Sequence, residues 1–250
     1  SETSFSLSQI RQLFPQVVEH DFVLQGDEQD RISIVALPLY IDTLALIYNK
    51  DIFDAKSIAL APVNWQNFQN LIPYIRETNL SNQITKAGAA IGGSEKSINA
   101  SSDLLNLLMM QFGSVMIDNY GKVNFGAQGL DALNFYLQFS NSDNKYYTWN
   151  DDLRYSLDDF SNGSTAIIFN YCSRIPLLKE KNPYLNIGIA EMLQPFDSSK
   201  PINYANYWGL SVSNQSKNFD LSWNFILFSA TNPQIAEIYF QTAKKPPALR

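Results

Sequence analysis

The sequence predicts an α/β fold, and three observations carry that prediction. Short apolar, β-branched runs alternate with amphipathic helical stretches, the pattern of strands crossed over by helices. Residues 31–39 and 40–48 are apolar with little interruption beyond Pro38, as in strands buried on both faces of a parallel or mixed sheet. The 250 residues, 45% hydrophobic and 17% charged, suffice to bury one large core or two medium ones.

Each element has a local cause. Leu7, Ile10, Leu13, Phe14 and Val17 recur at helical spacing, so a helix is predicted over 6–19, with Ser6 or Ser8 as its cap. Asn64 is the expected cap of a helix whose Trp65, Phe68, Leu71, Ile72 and Ile75 share one face. GAAIGGSEKS is glycine-rich but lacks both the GK[ST] ending and the GxGxxG spacing, so it reads as a loop and not a phosphate cradle. Ser101 or Ser102 is expected to cap the helix LLNLLMMQF, with Gly113 ending it and Met109 and Met110 serving the core.

A further helix is predicted over 128–139, with Leu130, Leu133, Tyr136 and Leu137 facing inward; 141–147 is polar and reads as a loop. A short helix over 152–160 closes at Gly163, followed by the strand TAIIFN, a helix through Leu177 and Leu178, and the strand LNIGIA. After the turn-rich PFDSSKP, the strand YWGLSVS leads into helices over 219–229 and 233–242.

Composition excludes several classes of function. The formal charge is -6 with no basic run, against a phosphate-tracking surface for nucleic acid or a basic membrane helix. With one histidine, His20, and one cysteine, Cys172, the chain has no material for a Cys/His zinc site or an internal disulfide, and no nucleophile motif lies near His20. Cys172 follows an apolar strand and reads as a buried, inert thiol. No metal or cofactor is expected.

Four ordered blocks, LPLYIDTLALIYNKDIF, VNWQNFQNLI, DDFSNGSTAIIFN and the stretch from NYWGLSVSNQSKNF to KKPPALR, resemble the extracellular solute-binding proteins of ABC importers, in particular the family with maltose-type sugar-binding members. The resemblance implies a periplasmic-binding-protein-like (type II) α/β fold in which two lobes close over a solute. Members carry a small domain's worth of first-lobe sequence before the LPLY-like block and continue beyond a closing segment like this one, so an incomplete first lobe is expected. The implied organisation is a first-lobe remnant and crossing strand over 1–42, a second lobe over 43–193, and a return crossing with first-lobe elements over 194–250.

The implied function is capture of a small solute, most readily a sugar or oligosaccharide, for ABC permease subunits, without catalysis. The implied location is extracytoplasmic, as a periplasmic protein or a cell-surface lipoprotein. Such a site needs aromatic faces plus a few amides and carboxylates. The candidates are Tyr40 and Asp42 at the LPLYIDT turn; Ser101, Ser102 and Asp103 at a helix start; Tyr171 and Arg174 after TAIIFN; and Asn206, Tyr207 and Trp208 before the WGLSVS strand.

Each candidate also has a structural reading. Asp42 suits a turn, the serines suit a cap, and Trp208 suits a core. Sugar-binding relatives tend to place a Gly and a stacking Trp after the TAIIFN-like strand; this chain has neither, leaving Tyr171 or Arg174 as substitutes. Two other functions compete: a glycosidase using Asp151-Asp152 or Asp158-Asp159, and a sensory or interaction module on the same fold.

Overall fold

The computed structural model describes residues 5–25, 32–118, 120–196 and 200–250. The chain forms two compact units, Ser1–Asp42 with Ala205–Arg250, and Thr43–Tyr204. In chain order the elements are α1 (Leu7–Leu13), α2 (Gln16–Phe22), β1 (Val23–Gln25), β2 (Ile32–Ile34), β3 (Leu37–Pro38), β4 (Asp42–Asn49), α3 (Lys50–Ala55), α4 (Trp65–Ile75), β5 (Glu77–Thr78), β6 (Ile84–Lys86) and α5 (Ser101–Gln111). There follow α6 (Gly126–Leu137), α7 (Ser156–Ser161), β7 (Ile167–Tyr171), a 3-10 turn (Cys172–Arg174), α8 (Ile175–Lys181), β8 (Ile187–Ala190), β9 (Ala205–Asn206), β10 (Gly209–Leu210), α9 (Phe219–Thr231) and α10 (Pro233–Ala243).

In the smaller unit, the single helix expected over 6–19 is two. Ser6 and Gln9 form a capping box that starts α1, but Pro15 forces Phe14 into an extended conformation and divides the helix. The strands expected over 31–39 and 40–48 are present as β2, β3 and β4; Arg31 lies outside the described residues. Pro38 cannot donate to a ladder, so β3 is short and pairs antiparallel with β10 alone. Of the expected YWGLSVS strand, only Gly209–Leu210 is strand. Ile10, Phe14, Val18, Leu37, Ile226 and Ala230 bury one another in this unit's core.

The larger unit is organised by β4, which lies between β7 and β8 and runs antiparallel to both. The expectation of a parallel or mixed sheet is therefore wrong for its ladders. Parallel pairing among the described residues is seen in isolated bridges such as Ala87–Thr165 and Ala90–Ile168. The reason is topological: β7, α8 and β8 form a crossover unit whose strands share a direction, and β4 fills the gap between them in the opposite sense.

The double-sided burial holds for β4 but not for β2, where Ile32 is 48% exposed. Leu44 and Leu46 of β4, with Ile167 and Phe169 of β7, point into a core with Phe68, Leu107 and Phe139. Ile47 and Ile168 point into a second core with Trp149, Phe160 and Leu178. In the first core the Phe68 ring meets Trp65, Phe139 and Phe169 edge-on, with centroids 5.7, 5.5 and 5.3 Å away.

Asn64 caps α4 as expected, its side chain accepting from the Asn67 amide at 2.8 Å. Neither Ser101 nor Ser102 caps α5. The cap position is Ala100, in the left-handed region at φ 63°, and Ser101 is buried as the first helical residue. Gly113, at φ 77°, follows the end of α5 where a C-terminal glycine is expected.

The inward face of α6 is also different from the expected one. Gly129, Ala132 and Tyr136 are buried, whereas Leu130 and Leu137 are 57% and 45% exposed. A Cβ on Gly129 would fall 2.7 Å from the Phe125 Cβ, so a close approach within the chain sets this part of the buried face. The helix expected over 152–160 starts late, as α7, and Gly163 at φ 75° follows its end. Among the described residues, no helix is long and apolar enough to cross a membrane.

Candidate functional site

In the larger unit the start of α5 and the end of β7 bring a carboxylate, phenols and amides together. Asp103, in the first turn of α5, accepts a hydrogen bond from the Tyr171 hydroxyl at 2.6 Å. Tyr171 is the last residue of β7, and its amide donates to the Asn170 side chain at 2.9 Å. Asn170, itself buried, donates to Asn99 at 3.0 Å, and Asn99 donates to the exposed Tyr155 hydroxyl at 2.9 Å. Tyr204 is half-buried beside Asp103; burial first, then the Asp103 charge, pushes its hydroxyl pKa up, so it stays a neutral phenol.

Such a set can accept and donate hydrogen bonds to the hydroxyls of a polyol and offer ring faces to its apolar patches. Sequence reasoning picked out Asp103 and Tyr171 but missed Asn99, Tyr155 and Tyr204. Tyr155 carried a faint signal, as an aromatic placed directly before a short helix. Asn99 and Tyr204 lie in irregular segments where no periodicity marks them.

The other candidates are placed as follows. Ser101 and Ser102 line a different concavity from Asp103, because residues one or two apart on a helix point to different sides. That concavity, about 500 Å³, lies between the Gly92–Gly93 loop, α5 and α6. Arg174 is exposed at the end of the 3-10 turn. Cys172, expected to be buried, is half-buried in the same turn.

In the smaller unit Tyr40 is buried, stacked on Tyr239 at 6.1 Å, with the Lys245 ammonium 3.9 Å from its ring centroid. Asp42 is 4% exposed and opens β4. Asn206 is half-buried in β9. The Tyr207 hydroxyl meets Asp21 and the Val17 carbonyl, and its ring packs edge-on against Phe22 at 5.4 Å. Burial first, then the hydrogen bond to Asp21, pushes the Tyr207 pKa up. Trp208 is 76% exposed, so its indole is a free face and not a core residue.

Three of the four residues in the acidic pairs have structural partners. Asp151 accepts from the Ser94 amide at 2.9 Å and from the Ser94 and Ser97 hydroxyls at 2.6 Å each. Those hydrogen bonds hold its pKa below the usual carboxylate range. Asp158 pairs with Lys181 at 2.6 Å. Asp159 is buried and accepts from Thr165 at 2.7 Å, and burial raises its pKa.

No match occurs among curated proteins. Several solved structures share the fold. A Listeria monocytogenes ABC substrate-binding protein in complex with cycloalternan superposes with a TM-score of 0.69 at 15% identity, over 100% of this chain and 59% of its own. UgpB of Mycobacterium tuberculosis with glycerophosphocholine gives 0.68 at 17%, over 94% and 55%. Maltose-bound MalE3 of T. maritima gives 0.67 at 17%, over 94% and 58%. The chain thus spans less than two thirds of the length of each. The family model of bacterial extracellular solute-binding proteins matches residues 12–250, and the chain belongs to that family.

Proposed function

We propose that the protein captures a small solute, most readily a mono- or oligosaccharide, and delivers it to the permease of an ABC importer, without chemical turnover. The observation that carries this reading is the Asp103–Tyr171 pair with Tyr204 beside it: a carboxylate held by phenols, with amides close by. Hydroxyl-rich ligands need such acceptors and flat faces. The structural neighbours crystallised with cycloalternan and maltose add to this reading, and the glycerophosphocholine complex widens the solutes to test.

Binding is favoured over glycoside hydrolysis because Asp158 and Asp159 serve Lys181 and Thr165, and Asp151 serves two serines. A hydrolase needs one carboxylate free to act as acid and a second on the opposite side of the scissile bond. Asp42, Asn206 and Trp208 remain proposed solute contacts of the smaller unit. The domain assignment over 1–42, 43–193 and 194–250 is part of the same proposal, as are the permease partner and a lipoprotein anchor.

Isothermal titration with maltose, mannobiose, tagatose, glycerophosphocholine, polyamines and amino acids, with chromatography of each mixture, tests the reading. The expected result is saturable binding of one class with no product. A ligand at a hundredfold its Kd raises the unfolding free energy by about 2.7 kcal/mol. Released monosaccharide supports the hydrolase; a captured protein with no solute bound supports the interaction module. Because Asp42 is buried, its replacement disturbs folding, and Asp103→Asn is the cleaner site variant.

A further inference from the structure

The glycine-rich loop after β6 forms, with α5 and α6, an open concavity of about 500 Å³ that the solute reading does not use. Ser101, Ser102 and Leu105 face it, whereas Asp103 and Asn106 lie on another side of the same helix. It is therefore distinct from the Asp103–Tyr171 cluster.

Its shape comes from two glycines. Gly92 has φ 96°, and a Cβ there would fall 2.8 Å from the Ser140 amide nitrogen. A Cβ on Gly93 would fall 2.8 Å from both Asp151 Oδ1 and Trp149 Cδ1. These close approaches let the loop wrap a carboxylate. The donors that a phosphate loop offers to an anion, the Ser94 amide and the Ser94 and Ser97 hydroxyls, all go to Asp151. Asp151 Oδ1 is filled by two of these bonds, while Oδ2 receives one and keeps a lone pair.

The chemistry of the walls selects the ligand. Leu105, Leu133 and Leu137 supply an aliphatic floor. Tyr136 is the one aromatic in the lining; it is 4% exposed, and its hydroxyl is given to the Gly93 carbonyl at 2.5 Å, so no ring face is open for a sugar to stack on. Asp151 and Glu95 are the charged lining residues, and the field of both reaches the Tyr136 hydroxyl, whose pKa burial already pushes up. Lys96 acts on Asp151 from beside the cavity but is not part of its lining, so the walls remain net negative.

We propose that this cavity is a second binding site, for a small amphipathic cation: an ammonium group on a short aliphatic body, the head toward Asp151 and Glu95 and the body on the three leucines. Anions are repelled by the carboxylate that already fills the loop, and neutral alcohols gain the floor but not the charge.

The test uses the whole chain, labelled with ¹⁵N, titrated with n-butylammonium chloride, 1-butanol, sodium butyrate and methyl α-glucoside at constant ionic strength. The reporters are the Trp149 indole N–H, which donates to Ser97 at 2.9 Å, and the Gly92 and Gly93 amides. The expected result is a saturable shift with butylammonium, binding at least about fivefold weaker for butanol, and no shift with butyrate. Glu95→Gln, on an exposed side chain, weakens butylammonium about threefold and leaves butanol unchanged. Asp151→Asn abolishes the preference for the ammonium. Equal affinity for butanol and butylammonium, saturable binding of butyrate or the glucoside at these reporters, or a purely linear response to the ammonium overturns the proposal. Shifts confined to Asp103 and Tyr171 report the other side of α5, so the two sites are read separately.

Discussion

Removing the charge from Asp103 while keeping its shape isolates what the Asp103–Tyr171 pair contributes. At 2.6 Å the bond is a short O–H···O⁻ contact, about twice as strong as its neutral counterpart. Hydrogen bonds to charged groups contribute about 1.5–3 kcal/mol and neutral ones about 0.5–1.5, so Asp103→Asn costs about 1 kcal/mol of stability. Asp103 is half-buried, which places the value at the low end. Tyr171→Phe removes the donor and costs a similar amount, and the double variant costs about 1 kcal/mol less than the two summed.

For a unit of this size 1 kcal/mol corresponds to about 2–4 °C in Tm. The assay is urea unfolding by tryptophan fluorescence with Trp208 and Trp223 replaced by Phe, leaving Trp65 and Trp149 to report the larger unit. If the two substitutions add to within about 0.5 kcal/mol, the pair is uncoupled and the account is wrong. With all four tryptophans in place, Asp103→Asn should bind the solute about tenfold more weakly, a loss of about 1.4 kcal/mol. Unchanged affinity would remove Asp103 from the site.

Phe68→Ala, deleting a fully buried ring that three other aromatics meet edge-on, should cost about 3–5 kcal/mol, read as a fall in the urea midpoint. Gly93→Ala should cost about 1–3 kcal/mol by forcing Asp151 and Trp149 aside, with a broadened Trp149 indole resonance as its signature. The Asp159 pKa is raised by burial, so its contribution is present below the ordinary carboxylate pKa and lost as pH rises through the raised value. Asp159→Asn should therefore stabilise more near pH 7 than near pH 4 in calorimetry.

Much of the fold was legible because strong local signals agreed with tertiary packing. Asn64 followed by Trp65, Phe68, Ile72 and Ile75 states a capped helix with one apolar face, and that helix is present. Where local and tertiary demands differed, the reading failed. Leu130 and Leu137 look like core by hydropathy, yet α6 buries Gly129, Ala132 and Tyr136. Ser101 has the chemistry of a cap, but Ala100 holds the cap position in a left-handed conformation and Ser101 is already helical.

The direction of β4 was not legible either, since a continuous apolar run fits a parallel and an antiparallel neighbour equally. At the candidate site, Asp103 and Tyr171 were found singly. Their pairing across 68 residues of sequence is a property of the folded chain alone.

The position of β4 between β7 and β8 also has a consequence in time. Leu46 pairs with Phe169 on one side and Ala190 on the other, so both of its partners follow it by more than a hundred residues. At ribosomal speeds of about 5–20 residues per second, the strand leaves the exit tunnel on the order of 10 s before its first partner is made. For that interval Leu44, Ala45, Leu46 and Ile47 are an unpaired apolar edge. Refolding from denaturant escapes this delay but not the search, because every ladder contact closes a long loop. The strand that joins the two cores of the larger unit is thus also the segment that a holdase chaperone would need to cover.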